Sequence, residues 1–127
     1  MQKNLRRRAG AGVLALACFG LGAAIWTRTS ARAEGQVREF TVEGNQYAFS
    51  PARLDVQKDD LVKITFTARD MPHSFTIDEY RIAKRAGAGQ SVVFEFRADR
   101  TGTVSFYCNL VSQDDRCKQM RGQLTVR

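Results

Sequence analysis

An all-β Greek-key sandwich of about seven to eight strands is the fold predicted by this 127-residue sequence. Three observations predict it. Apolar residues recur with period two in a series of short runs. Gly, Pro, Asn and Asp punctuate those runs at regular intervals. Beyond the N-terminal segment, no stretch of useful length carries an apolar stripe at helical spacing.

The runs follow one another along the chain. In 38–42, "REFTV", Phe40 and Val42 share a face. The segments 52–56, "ARLDV", and 73–77, "HSFTI", are shorter strand candidates. In 61–67, "LVKITFT", Val62, Ile64 and Phe66 oppose Lys63, Thr65 and Thr67. In 91–97, "SVVFEFR", Val92, Phe94 and Phe96 oppose Val93, Glu95 and Arg97. Val104 and Phe106 align in 103–108, and Leu124 and Val126 align in 123–127. Turn chemistry falls between them at Gly44-Asn45, Ser50-Pro51, Asp59-Asp60, Gly87 with Gly89, and Thr101-Gly102. Residues 78–89, "DEYRIAKRAGAG", are expected to form one long connection with a helical turn.

The N-terminal segment has a different character. Lys3, Arg6, Arg7 and Arg8 precede an apolar run over residues 11–26, and Ala31-Arg32-Ala33 has the small-x-small pattern of a signal-peptidase site. Residues 1–33 therefore read as a secretory signal peptide and 34–127 as the mature domain. If the signal stays uncleaved, it is the only expected membrane contact. Residues 1–33 hold six of the 20 Lys and Arg and none of the 13 acidic residues, so the mature domain is close to neutral. The high isoelectric point belongs to the export signal, and a nucleic-acid partner, which needs a basic face on the folded part, is excluded.

Strand parity points to one site. Side chains two apart on a strand face the same way. His73 shares the parity of Phe75 and Ile77, and Cys108 that of Val104 and Phe106, so both point inward at strand ends. The loop from Cys108 to Met120 then closes over the same pole and carries Cys117. Imidazole, thiolate and thioether are soft donors that suit copper. An exported cysteine pair also reads as a disulfide, and both readings stand at this point.

The residues that carry a family resemblance are "NQYAFSPARLDVQKDDLVKITFTARDMPHSF", "GTVSFYC" and "MRGQLTV". They resemble exported single-domain cupredoxins and the copper domain of cytochrome c oxidase subunit II. The first run leads to a D-x-x-H element, Asp70 to His73, and the last opens on a Met-x-Gly turn. The resemblance implies a cupredoxin-like sandwich over 34–127 and copper as cofactor. His73 matches the N-terminal histidine ligand, Cys108 the thiolate and Met120 the axial methionine. Cys117 stands where the second histidine would be, and His73 is the only histidine in the chain. What the resemblance implies is a mononuclear site of His73, Cys108, Cys117 and Met120, with Ser74 and Asn109 as hydrogen-bonding neighbours of the thiolate.

The expected function is one-electron transfer in the periplasm, by a monomer that exchanges with a redox or copper-exchange protein. The alternatives are a metal-free module stapled by a Cys108–Cys117 disulfide, and a periplasmic copper carrier or chaperone. No Ser-His-acid set and no phosphate-binding glycine loop is present, so no enzyme activity is expected. Asp114-Asp115-Arg116 reads as a solvated loop tip.

Overall fold

A computed structural model of the chain describes residues 34–111 and 115–127. The proposed signal peptide lies outside them. The described residues form nine strands: β1 (Val37–Asn45), β2 (Ala48–Ser50), β3 (Arg53–Val56), β4 (Leu61–Ala68), β5 (His73–Ile77), β6 (Ile82–Ala86), β7 (Ser91–Arg97), β8 (Gly102–Tyr107) and β9 (Arg121–Val126). They make two sheets, ordered β2-β1-β4-β7 and β3-β9-β8-β5-β6. Each sheet mixes directions: β1 runs parallel to β4 and β3 parallel to β9, while the other pairings are antiparallel.

The alternation read from the sequence builds the inner faces. Val62, Ile64 and Phe66 of β4 are fully buried, and Phe106, Leu124 and Val126 come from the opposite sheet. The middle of the core is aromatic. Phe75 stacks on Phe106 with centroids 4.7 Å apart, and Phe49 meets Phe106 edge-on at 5.1 Å. Such pairs add roughly 0.5–1.5 kcal/mol beyond their burial.

Three expectations need correction. The 78–89 segment is not a plain connection: it holds a short 3-10 turn, Asp78–Tyr80, and then β6, which pairs with β5 from His73↔Ala86 to Ile77↔Ile82. The first turn is not at Gly44-Asn45. Strand β1 runs through Asn45, and the chain reverses at Gln46-Tyr47, both with positive φ (23° and 74°). Strand β5 has no wet face, because Ser74 and Thr76 are buried along with His73, Phe75 and Ile77. A strand flanked by neighbours on both edges and covered on both faces loses the alternation that exposes one face to water.

The parallel pairing of β1 with β4 sets the position of the site. Both strands run toward the same pole, where Gly44 pairs with Ala68 and the Arg69 N–H donates to the Gly44 carbonyl at 2.9 Å. The chain then turns through Asp70-Met71-Pro72 and enters β5 at His73. Strand β8 ends at that pole, so Cys108 arrives beside His73.

Candidate metal centre

His73 is wholly buried at the first position of β5. Its Nε2 lies 2.7 Å from Asp70 Oδ1, and the other Asp70 oxygen accepts the Gln46 N–H at 3.0 Å. Burial pushes the Asp70 carboxyl up, but the His73 ring and the N–H groups of Gln46, Met71 and Asp70 outweigh it and hold it below the ordinary aspartate range. A carboxylate on one ring nitrogen fixes the orientation of the imidazole and directs the other nitrogen elsewhere. That other nitrogen, Nδ1, faces Cys117 Sγ at 4.0 Å. Gly44 makes room for the ring: a Cβ there would sit 3.2 Å from His73 Cδ2 and 3.2 Å from Phe66 Cζ.

Cys108 follows the last residue of β8 and is fully buried. The ladder between β5 and β8 stops at Thr76↔Tyr107, so the next N–H on that edge, that of Ser74, has no strand carbonyl opposite. It donates to Cys108 Sγ at 3.4 Å. The Ser74 hydroxyl has one proton, and Asn109 Oδ1 at 2.6 Å is a better acceptor for it than Cys108 Sγ at 3.7 Å. Asn109 N–H returns a bond to Ser74 Oγ at 2.8 Å. Ser74 therefore touches the sulfur through its backbone, and Asn109 steadies Ser74.

Cys117 sits in a 3-10 turn, Arg116–Gln119. The Met120 N–H donates to the Cys117 carbonyl at 3.0 Å, and the Cys108 N–H donates to the Met120 carbonyl at 3.3 Å. These bonds tie the end of the loop to its start and leave Met120 wholly buried. Cys108 and Cys117 are joined as a disulfide, with Cα atoms 5.5 Å apart. The ligand-capable atoms of His73, Cys108 and Cys117 all lie within 4.8 Å of one another, every one on a buried residue. Arg116 lies over the Tyr47 ring, 4.8 Å from its centroid, and Lys118 pairs with Asp115 at 3.0 Å. Asp114 lies outside the described residues.

Of the four residues read as ligands, His73, Cys108 and Cys117 are thus brought together, and Met120 is buried on a backbone bonded to both cysteines. In the sequence Asp70 is only the head of a D-x-x-H element, and its bond to the histidine is a finding of the structure. The signal was the three-residue spacing across a tight turn. A buried imidazole and two sulfurs fit a soft metal such as copper. A disulfide offers no thiolate, so copper fits only the dithiol state of the pair.

Comparison with known proteins identifies the fold and its family. Residues 17–126 match the family model of the cupredoxin-like domain, beginning inside the segment read as a signal. No curated protein matches the chain. Among solved structures, the metal-binding domain of the Cu(I)-exporting P-type ATPase CopA of Streptococcus pneumoniae D39, determined with Cu(I), is 22% identical. Its TM-score is 0.61, over 74% of this chain and 89% of that one. Auracyanin A, a "blue" copper protein from Chloroflexus aurantiacus, is 16% identical with a TM-score of 0.60, over 72% and 99%. The periplasmic domain of cytochrome oxidase subunit II of Bradyrhizobium japonicum is 15% identical with a TM-score of 0.61, over 70% and 83%. At these identities the three share its fold. With the family model covering all but the ends of the sequence, the chain belongs to the cupredoxin-like domain family.

Proposed function

We propose that this chain is a periplasmic copper-binding cupredoxin. In its dithiol state it holds one copper ion through His73, Cys108, Cys117 and Met120. The observation that carries the reading is the orientation of His73: Asp70 occupies Nε2, and Nδ1 is turned to a buried pair of sulfurs. Copper bound there would supply one-electron redox chemistry. The protein's own part is to orient the imidazole through Asp70, to stabilise thiolate charge on Cys108 through the Ser74 N–H, and to keep His73, Cys108, Cys117 and Met120 buried away from water. Two thiolates in place of one favour the cuprous state. The chain acts as an electron carrier rather than an enzyme, as a monomer, exchanging with a redox or copper-exchange protein. The two copper proteins among its structural neighbours support this reading by analogy, and the periplasmic oxidase domain supports the compartment in the same way.

Copper uptake by the reduced domain tests the reading. Native mass spectrometry is expected to show one copper per chain, and Cu(II) to give intense thiolate charge-transfer absorption in the visible. Both are lost in Cys108→Ser. Uptake that survives Cys108→Ser, or a reduced domain that takes no copper, overturns the reading. The disulfide favours a second reading, a metal-free module in which Cys108–Cys117 only staples the loop. Zero free thiols in the isolated protein, with no copper uptake after reduction, would establish it.

A further inference from the structure

The Cys108–Cys117 disulfide has two chemically different ends. Cys108 is sealed in the core with no exposure, and its sulfur accepts the Ser74 N–H at 3.4 Å. Cys117 keeps 4% of its surface exposed and lines a surface groove of about 270 Å³. Met71, Pro72, Leu110 and Val111 supply the apolar wall of that groove, and Arg85 its cationic side. Val111 is 85% exposed, more than any other large apolar residue among those described. The groove is thus an apolar opening with one positive charge and one half of the disulfide, Cys117, among its lining.

The geometry points to this groove as the entry site of a thiol reductant that attacks Cys117, with Cys108 as the leaving sulfur. Disulfide exchange requires the incoming thiolate to reach one sulfur while charge develops on the other. Of the two cysteines only Cys117 lines the groove, and among the described residues the Ser74 N–H is placed to receive that charge on Cys108. In the first step the reductant's thiolate bonds to Cys117 Sγ, the Cys108–Cys117 bond breaks, and its electron pair leaves on Cys108 Sγ. In the second step another thiolate of the reductant attacks the reductant's own sulfur in the mixed disulfide and releases Cys117 as thiolate. Two electrons pass from the reductant to the protein and the reductant leaves as a disulfide; its two thiol protons go to solvent when its thiolates form, and solvent returns two to Cys108 and Cys117 as these protonate. Arg85 attracts the anionic attacker, and Met71, Pro72, Leu110 and Val111 bury the apolar flank of its cysteine.

The experiment uses the metal-free, air-oxidised protein, so its outcome does not depend on whether the chain binds copper. The protein is mixed with glutathione, quenched in acid during the first exchange, alkylated at low pH and mapped by peptide mass spectrometry. The expected product carries glutathione on Cys117 and the alkyl group on Cys108, in at least about tenfold excess over the reverse. Equal amounts, an excess on Cys108, or a protein that remains a dithiol in air overturns the proposal. Arg85→Gln provides a readout that a purely structural role would not move. It is expected to slow reduction by glutathione, whose attacking thiolate form is doubly anionic, about threefold, and to slow reduction by mercaptoethanol, whose thiolate is singly anionic, by clearly less. Equal slowing of both thiols removes Arg85 from the site.

Discussion

At the scale of single residues, the site depends on what holds His73. Asp70 is three residues away across the turn that contains Pro72, and its carboxylate bridges the imidazole Nε2 and the Gln46 N–H. Removing it leaves the ring buried but no longer oriented. Asp70→Ala in the reduced protein is therefore expected to weaken copper binding by about 10- to 100-fold, the usual cost of losing an outer partner of a ligating histidine. Competition against a chromophoric Cu(I) chelator measures this, and an unchanged affinity would remove Asp70 from the site. Glycines set two other close approaches. Gly44 leaves space for the imidazole, while a Cβ on Gly122 would overlap the Phe106 ring and come within 2.8 Å of the Ala52 carbonyl. The inward direction of His73 and Cys108 was legible from strand parity alone. The Asp70–His73 bond was not, because parity describes strands and this contact is made across a turn.

At the scale of elements, the sequence showed the strands that carry a period-two stripe over several residues and hid β2, which is too short for one, and β6, which has none. β4 and β7 alternate as expected, with Val62, Ile64, Phe66 and Phe94 inward. β6 is an edge strand whose three central residues, Ala83, Lys84 and Arg85, are all exposed. It has no period-two pattern to read, and its pairing with β5 is carried by the backbone. β2 has only three residues. The hairpin between β1 and β2 places two consecutive non-glycine residues, Gln46 and Tyr47, at positive φ. Such positions disfavour ordinary side chains, which is why the sequence pattern points to Gly44-Asn45 instead. Their partners compensate: Asp70 accepts the Gln46 N–H, and Arg116 lies over Tyr47. The loop from Cys108 to Cys117 is held in the same way, by its covalent link and by backbone bonds through Met120. Closing a loop of sequence separation nine stabilises a fold by about 3 kcal/mol in the chain-entropy model. Reduction of the metal-free protein, or Cys117→Ser, is expected to lower unfolding stability by about that amount, read from urea titrations at equal slope. A reduced protein as stable as the oxidised one would show that the backbone bonds alone secure the loop.

At the scale of the whole molecule, the two poles of the sandwich have separate tasks, and the pole opposite the site is secured by a carboxylate. Asp60 precedes β4, at the end of the sheet remote from Gly44 and His73. It is 2% exposed. Its oxygens accept the N–H groups of Gln57 at 2.9 Å and Gln36 at 2.8 Å and the Arg38 guanidinium at 3.2 Å, joining the start of β1 to the β3–β4 turn. The Gln57 N–H is the largest influence. Burial opposes it, and with help from Gln36 and Arg38 the carboxyl is held below the ordinary aspartate range. The sequence showed Asp59-Asp60 as a turn and nothing more, because the three partners come from segments up to 24 residues away. A carboxyl whose folded pKa lies below its unfolded one stabilises the fold fully above the unfolded value. It loses that contribution as pH falls through the folded one, since the unfolded chain binds its proton first. Asp60→Asn is accordingly expected to be less stable than the parent at neutral pH. The gap should close progressively once the pH drops below the ordinary aspartate range, and copper uptake by the reduced protein should remain intact at neutral pH. Urea midpoints of parent and variant across an acid pH series check the first part, and copper stoichiometry checks the second. A gap that persists unchanged into strong acid would mean that Asp60 acts by shape and packing rather than by charge. Lost copper uptake in a folded Asp60→Asn would mean that the two poles are coupled.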